Sequence, residues 1–228
     1  MKNILFYLSG VLLLLPGCIG DDVIFDTVAE SVRITNPIDT LGLEDTYTFQ
    51  AQFLNNIGEE EPAEIFWSSS DTSILTIDPD GLALGKAPGD AMVEAEVEIP
   101  GKDPVMDQIL VHVAEGETGS SPTERLGELR TTSSYTLEGS FVLREEGNGL
   151  VLRLNDDYQA SSSLPGLYVY LTNNPNTSNN ALEISKVTIF SGAHSYPVPG
   201  NVDLNTYQYV LYYCKPFNVK VGDGEFMD

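Results

Sequence analysis

The chain has 228 residues and is strongly acidic, with 34 Asp and Glu against 11 Lys and Arg and a formal net charge of −23. A field of this sign repels phosphate backbones and anionic lipid head groups, which argues against nucleic-acid binding and against charge-driven docking on membranes. Residues 18–117 hold 22 acidic and 3 basic residues, whereas residues 118–228 hold 12 and 7. The apolar content indicates globular domains rather than disorder.

The N-terminus has the pattern of a bacterial signal peptide. Lys2 precedes an apolar run over residues 4–15, which is too short to span a bilayer but suits a signal core. The run ends in Leu-Pro-Gly-Cys at residues 15–18, which resembles the bacterial lipobox. The resemblance implies that residues 1–17 are removed and that Cys18 receives acyl chains such as palmitate. The alternative is an ordinary secretory signal with an incidental cysteine.

Residues 18–30 then form the lipidated cysteine and an acidic leader. More than one acyl chain on Cys18 suffices for stable anchoring, so we expect the mature chain on the cell envelope, held to the outer membrane by its lipid. The leader begins Ile-Gly-Asp-Asp at residues 19–22, which resembles the surface-export signal of some Gram-negative lipoproteins. That resemblance implies exposure at the cell surface, with a periplasmic orientation as the alternative.

Residues 31–115 show the pattern of half-buried strands. Apolar residues alternate with polar ones at residues 47–53 and 91–99, and turn residues separate such segments. Short strands at this spacing predict an antiparallel β-sandwich. The Asp-Pro-Asp-Gly segment at residues 78–81 lacks the later ligands of a calcium loop, so we interpret it as a turn.

The same segment resembles a known family, the group-two bacterial immunoglobulin-like domain. The matching pieces are Trp-Ser-Ser-Ser-Asp at 67–71, Ile-Leu-Thr-Ile at 74–77, Gly-Leu-Ala at 81–83, Gly-Asp-Ala at 89–91 and a last strand at 108–113. The resemblance implies an Ig-like sandwich that acts as a spacer or adhesive module without catalysis. Trp67 is predicted to be a core aromatic; stacking on a sugar is the alternative.

Residues 116–124, rich in Gly, Ser and Pro, predict a linker, and residues 125–228 predict a second antiparallel β-sandwich. The expected strands are residues 135–143, 150–154, 167–171, 184–189, 207–214 and 217–221. No stretch has a sustained helical period. The whole protein is therefore predicted to be all-β.

The second half resembles the DM-thirteen family of electron-transfer domains, from about residue 132 to 226. The matching pieces are Gly-Ser-Phe at 139–141, Leu-Arg-Leu at 152–154, Pro-Gly-Leu-Tyr-Val-Tyr-Leu at 165–171, Ser-Gly at 191–192, Tyr-Gln-Tyr-Val at 207–210 and the cysteine at 214. Gly166 and Tyr213 depart from the family, which commonly has an acid and a Trp there. The resemblance implies a redox role centred on Cys214, as a free thiol or as a ligand to a group such as haem, together with a redox partner protein.

Cys214 has two interpretations from the residues alone. Lipidation of Cys18, the other cysteine, makes Cys214 the sole thiol. Alternation places it on the strand face of Val210 and Tyr212, where a free cysteine is usually a small buried hydrophobe. Reactivity needs a nearby cation, and Lys215 is predicted to point to the opposite face. A structural cysteine and a redox cysteine both stay open.

Other chemistry is sparse. His112 is predicted on the outer face of a strand; His194 is predicted in a turn, where it either approaches Cys214 or a cofactor or is simply solvated. The many tyrosines have two interpretations. They stack on a flat cofactor or on a sugar, or they pack as ordinary aromatics in the sheets. Nucleophile elbow, phosphate-loop and zinc signatures are missing, so we do not expect an enzyme in its own right. The leading hypothesis is an envelope lipoprotein that presents an electron-transfer domain; the alternative is a non-catalytic adhesive or structural protein that binds glycan or protein.

Overall fold

The computed structural model describes residues 26–147 and 149–227 and confirms the predicted all-β class. The predicted signal peptide, the lipidation site Cys18 and the leader up to residue 25 lie outside the described residues. Within the described ranges, helical structure is limited to one 3₁₀ turn, Lys215–Phe217. No helix in this part of the chain is long and apolar enough to cross a membrane.

Nine strands make up the first half of the described chain. They are β1 (Ser31–Ile34), β2 (Thr40–Gly42), β3 (Thr46–Thr48), β4 (Ala51–Leu54), β5 (Phe66–Ser69), β6 (Leu75–Ile77), β7 (Leu82–Gly85), β8 (Gly89–Val97) and β9 (Val105–Ala114). They form a four-stranded sheet in the order β2-β9-β8-β5, a three-stranded sheet in the order β3-β7-β6 and the pair β1-β4. All pairs are antiparallel except β2 with β9, where the long intervening chain permits a parallel return.

The core of this half follows the predicted alternation. On β8, Ala91, Val93 and Ala95 are buried while the residues between them face outward. Trp67 packs against the same core beside Phe49, with 6.2 Å between ring centroids, which agrees with its prediction as a core aromatic.

Two further predictions in this half are confirmed. His112 lies on the outer face of β9 and pairs with Asp90 at 2.7 Å. Asp78 accepts the backbone amides of Asp80 and Leu82 at 3.0 Å each, so the segment between β6 and β7 is a turn.

The second half forms nine strands in one antiparallel sheet. They are β10 (Glu124–Thr131), β11 (Leu137–Glu146), β12 (Gly149–Leu154), β13 (Gln159–Ala160), β14 (Leu167–Thr172), β15 (Leu182–Lys186), β16 (His194–Pro197), β17 (Tyr209–Cys214) and β18 (Val219–Met227). The order is β15-β14-β17-β18-β10-β11-β12-β16, with β13 paired to β11. The sheet encloses an apolar core to which β11, β12, β14 and β17 contribute most of the large side chains.

Asparagine side chains of the second half bind backbone carbonyls of the first. Asn176 donates to the carbonyl of Thr27 at 3.0 Å, and Asn205 donates to the carbonyl of Thr35 at 2.9 Å. Asn174 donates in the same way to carbonyls of the first half. These asparagine side chains therefore hold the two halves in contact.

Candidate functional site

Cys214 is the last residue of β17 and is completely buried. Its strand neighbours are Leu167 on β14 and Val219 on β18. The strand ends here because Pro216 has no backbone N–H to donate to a sheet, and the chain turns into the 3₁₀ segment. The thiol is therefore enclosed at the end of a central strand, in the core of the second half.

The predicted alternation along β17 is confirmed. Val210, Tyr212 and Cys214 belong to the main core, whereas Leu211 and Tyr213 belong to a smaller apolar cluster on the other face of the sheet. A sheet places successive side chains on opposite faces, which explains the division.

Lys215 does not supply the cation that would activate the thiol. Its Nζ donates to the Glu183 carboxylate at 2.7 Å and lies 5.1 Å from the centre of the Tyr168 ring. Tyr168 packs against the smaller cluster, on the face opposite Cys214. The predicted orientation of Lys215 is therefore correct, and its ammonium group binds Glu183 on the face of the sheet opposite Cys214.

The turn after Cys214 explains why Gly166 departs from the family pattern. The Gly166 carbonyl accepts the backbone amide of Lys215 at 3.0 Å. A Cβ at residue 166 would lie 2.6 Å from ring atoms of Pro216, which is closer than such contacts occur. An acidic side chain does not fit here, so any role that the family acid serves is missing at this position.

Two buried tyrosines lie on the thiol's side of the sheet. Tyr158 and Tyr212 are both 0% exposed, and their ring centroids are 6.0 Å apart. Their hydroxyls are close enough to influence each other's ionisation, but neither has a hydrogen-bond partner of normal geometry among the described residues. Burial raises the pKa of both phenols well above the usual value. Both therefore stay neutral in the core.

The turn predicted around His194 is wrong, because His194 begins strand β16. This strand pairs with β12, with His194 opposite Leu154 and Tyr196 opposite Leu152. Glycine at 192 and proline at 197 suggest a turn when only neighbouring residues are considered, but the pairing with β12 decides the conformation. His194 is thereby half-buried, and its ring meets Tyr158 edge-on at 4.8 Å.

Both nitrogens of His194 are engaged. Nδ1 lies 2.8 Å from the carbonyl oxygen of Gly192, and Nε2 lies 3.1 Å from the hydroxyl of Tyr196. A carbonyl only accepts, so Nδ1 carries the proton and the Tyr196 hydroxyl donates to Nε2. This pair was not predicted from the sequence, because residues 192–196 were expected to form a turn, whereas residues two apart on a strand share a face. Burial raises the pKa of Tyr196 to about 12.

The residues around Cys214 do not fit haem. A haem ligand must present its sulfur to an open space as wide as the macrocycle, and the Cys214 thiol is enclosed by packed side chains. Three surface cavities among the described residues lie against the first half or between the two halves, and Cys214 lines none of these three. His194 uses its ring nitrogens for Gly192 and Tyr196.

Comparison with known proteins bears on the second half. Residues 128–226 match the family model described as "Electron transfer DM13", which confirms the DM-thirteen resemblance. No curated protein matches the chain. Two solved structures of the S-layer protein SbsC show weak likeness at 13% identity. Domains 5–6 give a TM-score of 0.30 over 88% of this chain and 96% of that one, and domains 4 and 5 give 0.28 over 86% and 96%. Such scores carry no argument about fold or function.

Proposed function

We propose that the second half of the chain transfers single electrons in the cell envelope, with Cys214 as its oxidisable centre and with Cys18 as the lipid anchor of the mature protein. The observation that carries the proposal is the position of the thiol. Cys214 is sealed in the core of the segment that matches the electron-transfer family, on the same strand face as Tyr212.

Burial decides which redox chemistry is available to this thiol. Thiol–disulfide exchange requires a thiolate to attack another sulfur directly, so both sulfurs must meet. A thiol with no exposed surface does not meet a partner sulfur while the domain is folded. Electron transfer to a partner outside the domain does not require such contact, and it is therefore the redox activity that the geometry supports best.

Electric charge restricts both how Cys214 is oxidised and which partner accepts its electron. A charged sulfur in this core would have neither water nor the Lys215 ammonium beside it, so oxidation must break the S–H bond. The electron passes to the one-electron oxidant on the partner, the proton is released to solvent, and a neutral thiyl radical stays at Cys214. The chain's net charge of −23 attracts cationic partners and repels anionic ones. The redox partner is accordingly a one-electron acceptor with a positively charged docking face.

A second candidate function has its own support. Complete burial is also what a purely structural cysteine shows, since a free Cys commonly packs as a small hydrophobe. In that case the chain is an adhesive or structural surface protein that binds glycan or protein, and Cys214 only fills the core.

Oxidative titration separates the two functions. A soluble form that begins at Asp21 keeps every described residue and is titrated with a cationic one-electron oxidant such as tris(bipyridine)ruthenium(III). Electron transfer centred on Cys214 predicts that wild type consumes one more oxidising equivalent than Cys214→Ala or Cys214→Ser. Val210→Ala, which shortens a buried side chain on the same strand face, is the matched control and should titrate like wild type. Equal consumption by all four proteins rejects Cys214 as the centre and favours the adhesive function.

A further inference from the structure

The pair formed by Tyr196 and His194 lies where the second sheet ends. Strand β16, which carries both residues, is the last strand in the sheet order and pairs with β12 alone. Tyr196 is 7% exposed, His194 is half-buried, and Ser195 between them points to solvent. The pair is thus near the surface, yet its phenol is shielded from water.

The hydrogen bonds fix where the protons are. The Gly192 carbonyl holds the proton on Nδ1, so Nε2 presents its lone pair to the Tyr196 hydroxyl. A neutral imidazole can take a second proton at this atom, because the Nδ1–H bond to Gly192 stays in place when it does. The geometry therefore provides a phenol with a proton acceptor already in hydrogen-bond contact.

From this geometry we infer that Tyr196 and His194 form a proton-coupled redox pair, the point at which the domain exchanges electrons with its partner. The inference rests on the electron-transfer role proposed above. One electron leaves the Tyr196 phenol for a metal-centred one-electron oxidant on the partner. Its O–H bond breaks, and the proton moves to Nε2 of His194. The products are a neutral phenoxyl radical and an imidazolium, and the return of one electron reverses both changes.

Coupling the two transfers avoids a charged phenol in a shielded site. Oxidation without proton loss would leave a cation on a ring that is almost wholly buried, which is costly. Proton loss before oxidation is also unfavourable, since burial raises the pKa of Tyr196 to about 12. Because the Tyr196 hydroxyl is hydrogen-bonded to His194, the proton and the electron can leave together, and Tyr196 then stays neutral throughout.

Other tyrosines of the second half are poorer candidates. The hydroxyls of Tyr158 and Tyr212 have no acceptor of normal geometry in the core. Tyr170 donates to Glu183 and Tyr209 donates to Glu225, at 3.2 Å and 3.1 Å. A carboxylate with a reference pKa of about 4.3 is a weaker proton acceptor than imidazole at about 6.5. The other histidine, His112, pairs with Asp90.

The pair is also in ring contact with the core. The ring centroid of Tyr158 lies 4.8 Å from that of His194 and 6.0 Å from that of Tyr212. Tyr212 shares a strand face with Cys214. A continuous row of aromatic rings therefore connects the pair at the sheet edge with the strand that holds the thiol.

The test uses the soluble form from Asp21 and photogenerated tris(bipyridine)ruthenium(III), with electron paramagnetic resonance to detect the phenoxyl radical. Tyr196→Phe keeps the ring and removes the phenol, and we expect it to lower the early radical yield at least about tenfold. His194→Gln can still hold the hydrogen bond but has no basic nitrogen. It should slow oxidation at least about tenfold, because a carboxamide is a far weaker proton acceptor than imidazole. Wild type should also react more slowly in D₂O, whereas His194→Gln should largely lose this isotope effect.

The control variant is Tyr209→Phe, which removes a phenol bonded to a carboxylate and should behave like wild type. An undiminished radical yield in Tyr196→Phe overturns the inference and leaves the electron-transfer role intact. Wild-type rates and isotope effects in His194→Gln overturn the proton-acceptor role of His194. If the oxidant draws no electron from wild type, the inference and the proposed function both fail.

Discussion

The carbonyl of Gly166 accepts the backbone amide of Lys215 at 3.0 Å, and this bond fixes the turn that closes the core directly after Cys214. The turn explains both why β17 ends at the thiol and why residue 166 has no side chain. It links a local departure from the family pattern to the burial of the proposed redox centre.

Replacing Gly166 with Asp should destabilise the second half. A Cβ there meets the Pro216 ring at 2.6 Å, and overpacking of this kind costs about 1–3 kcal/mol. Denaturant unfolding of the variant measures the loss in the free energy of unfolding. Gly149→Ala is the matched control, because the space around that glycine is open, and it should change stability by less than about 0.5 kcal/mol. Equal stability of Gly166→Asp and wild type would show that the turn is not closed as described.

Cys214 should resist thiol reagents in the folded protein. Labelling a fully buried thiol requires the core to open, which costs about 5 kcal/mol even in a marginally stable domain. We therefore expect alkylation about five thousandfold slower than that of an exposed thiol, the factor that about 5 kcal/mol represents, and rapid alkylation in denaturant. Ser195→Cys, at an exposed position of the same half, supplies the exposed thiol for comparison. Fast labelling of native Cys214 would instead support thiol exchange and contradict single-electron transfer through a sealed core.

Alkaline pH should unfold the protein through its buried phenols. Burial raises the pKa of Tyr158 and Tyr212, whereas an unfolded tyrosine ionises near pH 10, so the folded state keeps protons that the unfolded state releases. Their stabilising effect is complete below about pH 10 and is lost as pH rises toward the raised values. Chemical unfolding measured from neutral to alkaline pH should show this decline.

Tyr158→Phe should make the decline shallower. The Tyr158 hydroxyl lacks a normal hydrogen bond, so its removal costs little stability near neutral pH. The same alkaline slope with and without this phenol would mean that Tyr158 is not the group that titrates.

The lipid anchor proposed at Cys18 is tested in cells. Metabolic labelling with a palmitate analogue should mark the wild-type chain and not Cys18→Ser, because only a thiol accepts the thioether-linked lipid. The variant should leave the membrane fraction, while Cys214→Ser should keep both label and membrane association. Label on Cys18→Ser would place the lipid elsewhere. Protease treatment of intact cells then distinguishes surface exposure from a periplasmic orientation.

Local pattern was sufficient to predict the strand that carries the thiol. The alternation of residues 207–214 predicted that Val210, Tyr212 and Cys214 share a face and that Lys215 points away, and the structure confirms both. Side-chain direction in a strand depends only on the backbone period, so it can be derived without knowing the neighbours.

The partners of the site could not be derived in this way. His194 was predicted in a turn, but pairing with β12 makes it a strand residue and brings it to Tyr158. The contact of Gly166 with Pro216 likewise joins positions that are far apart in the chain. Such contacts depend on which strands pair, and composition and periodicity do not specify that choice.

Time-resolved oxidation tests directly whether Cys214 is the redox centre. After a flash generates the ruthenium(III) oxidant, the Tyr196 phenoxyl radical of wild type should decay quickly, because Cys214 supplies the electron that reduces it. In Cys214→Ala the same species should form at the same rate but persist at least about tenfold longer, with Val210→Ala decaying like wild type. Equal persistence in wild type and Cys214→Ala would contradict a redox role for Cys214 and leave it as a packing residue only.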